Sequence, residues 1–316
     1  MNSNQQVQTE NLDGCIAVDK FGCEVLFLNP AKGAVESKLS GFSKTVHELL
    51  LLPERSLAYV PVFGDGIHGN NPNPGHQIAV IDIRERRHLS DIDISPLKAP
   101  HTMRLGPDGL IYVTCENSGV VALVDPTDNA VVDTIETGST NCHRLEISPD
   151  QRFLYTENEE DCSISVIDLQ VRKLQGQIST PHALGGLAVT ADSSIVVAVD
   201  DESPALFLVD VEAGKVGSTI ALHGLDQPAQ IAKFSPDFEM LAVTSMSSDR
   251  VVLLDPDFNN QAIMETGHKP MDMAFRGNEL YIACQGDGTI HVVDWKRAQP
   301  LRYFKAGVGC ESIGFF

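Results

Sequence analysis

Paired cysteines, positive charge and long apolar runs are all scarce in this 316-residue chain, and each scarcity removes a class of function. Seven cysteines (Cys15, Cys23, Cys115, Cys142, Cys162, Cys284 and Cys310) are an odd number with no CxxC spacing, which argues against a complete disulfide framework and a zinc ribbon alike. Reduced thiols and a cytoplasmic location are the expectation. Lys and Arg number 23 against 43 Asp and Glu, and the formal charge of −20 repels phosphate backbones and anionic headgroups. Neither nucleic acid nor membrane is therefore an expected partner. No apolar stretch approaches the length of a membrane span, and the start MNSNQQVQTENLDG lacks the basic and apolar regions of a secretory signal. GxSxG, HExxH and Walker patterns are absent, which removes the easily recognised serine hydrolases, zincins and P-loop enzymes. A haem-attachment CxxCH is absent too, which weakens a reading as a redox propeller with histidine-bound haem or copper.

What the chain does have is a repeat. A short apolar run ending in Asp or Asn occurs as EVLFLNP, QIAVIDI, VVALVDP, SISVIDL, ALFLVDV, RVVLLDP and TIHVVDW. The terminal polar residues are Asn29, Asp82, Asp125, Asp168, Asp210, Asp255 and Asp294, separated by 53, 43, 43, 42, 45 and 39 residues. This is the spacing of four-stranded propeller blades. The third copy shows the unit most clearly: TMRLG, the turn PDG, LIYVTCEN, a turn at Ser118-Gly119, VVALVDP and AVVDTIETG. Each segment is short, rich in β-branched or aromatic residues and bounded by turn formers. The predicted fold is an all-β, seven-bladed propeller in one domain over residues 12–316, after a flexible tail over residues 1–11. The first copy lacks an innermost strand, and the final ESIGFF matches one, so the C-terminal strand is expected to complete blade one and remove two open edges.

Tyr112-Val113-Thr114, the SPD turns at Ser148–Asp150 and Ser235–Asp237 and the VIDL-type third strands resemble the YVTN-repeat propellers, with Cys115 where that family has Asn. That family includes lactonase-like hydrolases and members without established activity, so the resemblance implies the fold and leaves the activity to the site.

Aligned on the turn after the first strand, the blades begin with His47, His101, His143, Gly185, Gln230, Met271 and, through the closing strand, Glu311. Three consecutive blades thus present histidine at one level, with His182 just before the fourth. In the usual propeller topology the ends of the second strands share this face, adding Cys115, Glu116, Glu157, Asn158, Glu159, Asp200, Gln285 and Asp287. Imidazoles and carboxylates converging from different blades are what a divalent transition metal (zinc, manganese, iron or nickel) requires. His47, His101 and His143 are the candidate ligands, although a histidine at this level also serves as a packing residue within its own blade. Cys142 beside His143 is a small packed residue, because neighbours on a strand face opposite ways.

Blade two carries an insertion of about ten residues, FGDGIHGNNPNPGH, between its second and third strands. Asp65, His68 and His76 lie in it, and on a rigid scaffold such an excursion is where substrate-selecting residues concentrate. His182 and Gln230 are further substrate-binding candidates at the mouth. The expectation is a lactonase-like hydrolase or lyase acting on a small-molecule substrate, a cyclic ester or related carbonyl compound. Glu157 or Glu311 would serve as carboxylate ligand or general base, and Arg104 and Arg144 would orient an anionic substrate unless strand alternation turns them into blade interfaces. The alternative is a non-catalytic propeller that binds a protein or peptide over its funnel. No oligomeric state is specified by the pattern.

Overall fold

The computed structural model describes residues 14–67 and 69–316, so the tail expected over residues 1–11 and His68 of the insertion lie outside the described residues. The described chain forms seven antiparallel sheets, six of four strands and one of five, arranged as a seven-bladed β-propeller. No helix among the described residues is long and apolar enough to cross a membrane.

The recurring Asp or Asn has a single physical job. Its carboxylate or amide oxygen accepts the backbone N–H of a residue two or three positions later, closing the turn into the outermost strand. Asp125 does so with Thr127, Asp168 with Gln170, Asp210 with Ala213, Asp255 with Asp257, Asp294 with Arg297, Asp82 with Glu85 and Asn29 with Lys32. This is the self-bonded turn for which short polar side chains are favoured. The SPD turns close similarly, with Ser148 Oγ donating to Asp150 at 2.6 Å and Ser235 Oγ to Asp237 at 2.6 Å. Between the turns, alternating apolar residues pack blade against blade, and Tyr59, Tyr112, Tyr155 and Tyr281 fill matching interface positions on second strands.

The ring closes as expected. The C-terminal strand Cys310–Phe315 pairs antiparallel with Cys15–Asp19, placing Ile16 opposite Gly314 and Ala17 opposite Ile313 as the innermost strand of blade one. Blade two departs from the repeat: its inner strand is broken into Thr45–Val46 and Leu50–Leu52, both paired with Leu57–Gly64.

Irregular pairing recurs where the inner strands begin. In blade seven Pro270 and Asp272 oppose Cys284 and Ala283, so Met271 is an extra residue; in blade one Cys310 and Ser312 oppose Asp19 and Val18, so Glu311 is extra. In blade four His143 N–H donates to Glu157 O while Glu157 N–H donates to Arg144 O, so two residues face one. Blade three shifts register between Val113 and Cys115, opposite His101 and Thr102. Bulges of this kind re-aim side chains. Here they let two successive residues of an inner strand both face the channel, which simple alternation forbids.

Candidate functional site

The three histidines from blades two, three and four meet at one pole of the channel. Ring centroids of His47 and His101 are 4.3 Å apart and those of His101 and His143 are 4.2 Å apart, while Phe63 stacks on His47 at 4.9 Å. His143 Nε2 lies 3.1 Å from His101 Nε2. Each ring is held from behind through Nδ1: His143 by Glu157 Oε1 at 2.6 Å, His47 by Glu311 Oε1 at 3.0 Å, and His101 by Thr102 Oγ1 at 3.0 Å. A carboxylate only accepts, so Glu157 fixes the proton of His143 on Nδ1 and turns its Nε2 toward His101, while Glu311 stands beside Nδ1 of His47. Holding Nδ1 with a carboxylate is how proteins orient metal-ligating imidazoles.

Two sets of ligand atoms fall within 4.8 Å of one another, His101 with Glu116 and His143, and His47 with Glu48 and His101. Glu116 Oε1 stands 3.7 Å from His101 Nε2 and 3.8 Å from His143 Nε2. The carboxylates of Glu48, Glu116, Glu157 and Glu311 are all buried around the imidazoles, with Lys20 3.1 Å from Glu311 and Arg144 2.6 Å from Glu48. Burial, and then the neighbouring charges of His143 and His47, hold His101 well below the ordinary imidazole range, so that ring stays neutral. Burial also raises Glu311, against the lowering effect of Lys20 and the hydrogen bond from Gln285 Nε2 at 2.7 Å.

The insertion of blade two closes over this pole. Asp65 accepts from Asn73 N and Nδ2, Ile67 and Asn70 exchange backbone hydrogen bonds at the tip, and Asn71 Nδ2 donates to Phe63 O. The tip extends past blade three to blade four. Gly69 lies so close to Glu160 that a Cβ would come within 2.7 Å of its carboxylate, and the glycine φ of +67° is itself one that side chains disfavour. His101, in blade three between blades two and four, is completely buried.

The structure therefore brings together His47, His101, His143, Glu157 and Glu311 with Glu116 and Gln285 from the second-strand ends, and adds Glu48, Lys20 and Phe63. Glu48 had a signal in the sequence, since it follows His47 as Arg144 follows His143. Other candidates lie apart. Asp65 braces the base of the insertion, and exposed His76 bonds Asp93 at 3.0 Å. His182 bonds Asp200 at 2.9 Å, which raises its pKa, and Gln230 packs on Gly185 across the blade five to six interface. Arg104 and Arg144 both face the channel, Arg104 bound to Glu146 at 2.8 Å. Cys142 is buried beside Cys115, where desolvation pushes its thiol up to about 12, so it is no nucleophile.

No family model matches this chain, and no curated protein does either. Among solved structures it is similar to the hydrazine synthase of Kuenenia stuttgartiensis, with a TM-score of 0.70 at 18% identity over 87% of this chain and 92% of that one. It is also similar to dihydro-heme d1 dehydrogenase NirN in complex with DHE, with a TM-score of 0.70 at 13% identity over 99% of this chain and 77% of that one. At such identities the likeness is one of fold.

Proposed function

We propose that the chain is a divalent-metal-dependent hydrolase or lyase that opens a small cyclic ester or related carbonyl compound, the activity implied by the YVTN-repeat, lactonase-like resemblance. The observation that carries this reading is the convergence of imidazoles whose Nδ1 atoms are held from behind, His143 by Glu157 and His47 by Glu311. Zinc, manganese, iron or nickel held there would supply Lewis acidity toward a carbonyl oxygen and toward water. His47, His101 and His143 would be the neutral ligands and Glu116 the anionic one. Glu157 and Glu311 would orient the imidazoles rather than act on substrate, because each is fully engaged behind a ring. Glu48 groups with His47 and His101, lines the cavity and is bound by Arg144 at 2.6 Å, so it would accept the proton released as the nucleophile attacks. The insertion carrying Asp65, His68 and His76 would exclude water from the reacting centre. The setting proposed is the cytoplasm, with a small molecule as partner and no role for nucleic acid or membrane.

Elemental analysis of protein purified without a histidine tag is expected to find one divalent transition metal per chain, and a panel of lactones and cyclic carbonyl compounds is expected to contain a substrate. Protein that takes up no stoichiometric metal even on reconstitution would overturn the reading and favour the non-catalytic binding module.

A further inference from the structure

A cavity of about 500 Å³ occupies the channel on the far side of the histidines from the insertion. Its ceiling consists of residues that each directly follow the first inner-strand position of a blade: Glu48, Thr102, Arg144, Gly186, Asp272 and Ser312. One residue along a strand is about 3.3 Å, so the cavity begins one step below the imidazole layer. Its other end is formed by Ile147, Pro149, Val189, Phe234 and Phe238, at the turns between first and second strands, which is the opposite pole.

Exposure rises steadily along this axis. The side chains of His47, His101 and His143 are 7% exposed or less; Arg144, Glu48 and Asp272 are 12–15% exposed; Arg104, Glu146 and Lys233 are 27–36% exposed. The cavity is therefore more open to solvent at the pole opposite the imidazole layer.

The three cations in the cavity differ in what they have left to give. Arg104 is bound to both oxygens of Glu146 and to Met103 O, and Lys233 is bound to Asp272 at 2.8 Å and to Met273 O at 2.6 Å. Arg144 donates through one terminal nitrogen to Glu48, and its buried Nε has no hydrogen-bond partner. A buried N–H without a partner is costly, and a planar guanidinium matches a carboxylate.

We infer that the cavity binds a small organic carboxylate, entering from the pole opposite the insertion, with its carboxylate on the Arg144 guanidinium and its apolar body against Ile147, Val189, Phe234 and Phe238. That this ligand is the substrate rests on the reading of the histidine cluster as a reactive centre, and it narrows the proposed cyclic ester or carbonyl compound to one bearing a carboxylate. The ligand site itself does not depend on metal.

Phenylacetate and its neutral amide, phenylacetamide, serve as probes, titrated by calorimetry into the full chain both chelator-stripped and metal-loaded. Arginine Nε–Hε cross-peaks are followed by NMR in parallel. Phenylacetate is expected to bind saturably in both forms and to shift the Arg144 cross-peak, with phenylacetamide at least about tenfold weaker. Arg144→Lys, which keeps the charge beside Glu48 and loses the planar edge, is expected to weaken phenylacetate about tenfold. Equal binding of the two probes, or an Arg144 cross-peak that phenylacetate leaves in place, would overturn the inference, and the wild-type cross-peak decides the matter even if the variant misfolds. Carboxylate binding in a protein that takes up no metal would support this site while removing the hydrolase reading; metal uptake without carboxylate binding would do the reverse.

Discussion

Blades two to four and blades five to seven use one backbone plan for opposite purposes. At the first inner-strand position the former carry His47, His101 and His143, whereas the latter carry Gly185, Gln230 and Met271. Where histidines stand, adjacent blades bring rings within 4.2–4.3 Å, close enough for a shared cation. Where they do not, Gly185 lets the Gln230 backbone approach so closely that a Cβ would lie 2.9 Å from its carbonyl oxygen, and the space below opens into the cavity. The difference teaches that a ring of equivalent positions is not a ring of equivalent functions. Donor atoms within a few ångströms of one another come here from neighbouring blades, and the remaining blades line the cavity.

The comparison breaks most completely at His101, the middle histidine. His101→Ala is expected to cut metal affinity by two orders of magnitude or more with the β-sheet circular dichroism unchanged, while Met271→Ala, at the equivalent place in blade seven, leaves metal content intact. Equal metal content in the two variants would show the halves to be alike. A smaller effect is expected from Glu157→Gln, since the amide keeps the shape but no longer fixes the His143 proton by charge; a loss of about 10–100-fold in metal affinity follows from such a change. Competition with a chromogenic chelator measures it. In the other half, Gly185→Val is expected to destabilise by about 1–3 kcal/mol, because the added carbons meet the Gln230 backbone as well as its side chain. Chemical denaturation should show that cost, with metal stoichiometry unaltered.

The smallest effect is expected at the boundary between the halves, where Asp201 of blade five is pushed up from 3.8 to about 6 by burial and then by the charges of Glu159 and Glu157. Between those values the folded state holds more proton than the unfolded one, so this group's stability contribution is full below 3.8 and is lost as pH rises through 6. Asp201 is partly exposed, and after solvent screening the loss is on the order of 1 kcal/mol. Asp201→Asn should therefore gain stability relative to wild type as pH rises from 4 to 7, in paired thermal melts. Parallel pH profiles for the two proteins would remove the acidic boundary from the account.

Much of this was legible in the chain. The seven Asp or Asn residues mark blades because each closes the same local turn, a bond between residues two or three apart that any window of sequence contains. Ring closure was legible for a related reason, since ESIGFF supplies the strand that the first blade lacks. The three histidines were found by counting from those landmarks. The placement of Arg144 was harder to see. Strand alternation turns it away from the side that His143 faces, and the bulge opposite Glu157 that brings both into the channel leaves no mark on hydrophobic periodicity. Glu157 and Glu311 carried the right chemistry to be a base, yet they stand against imidazole Nδ1 atoms, while Glu48 lines the cavity.

Local chemistry thus determined the number of blades, their order and the level at which each side chain sits, because those follow from bonds and periodicities between near neighbours along the chain. Tertiary structure alone decided which pole is sealed and which is open. The insertion of blade two reaches Glu160 of blade four, and the channel empties toward Phe234 and Phe238, through contacts between residues dozens to hundreds of positions apart. Such contacts exist only once the ring has closed, and they depend on its curvature rather than on any local pattern.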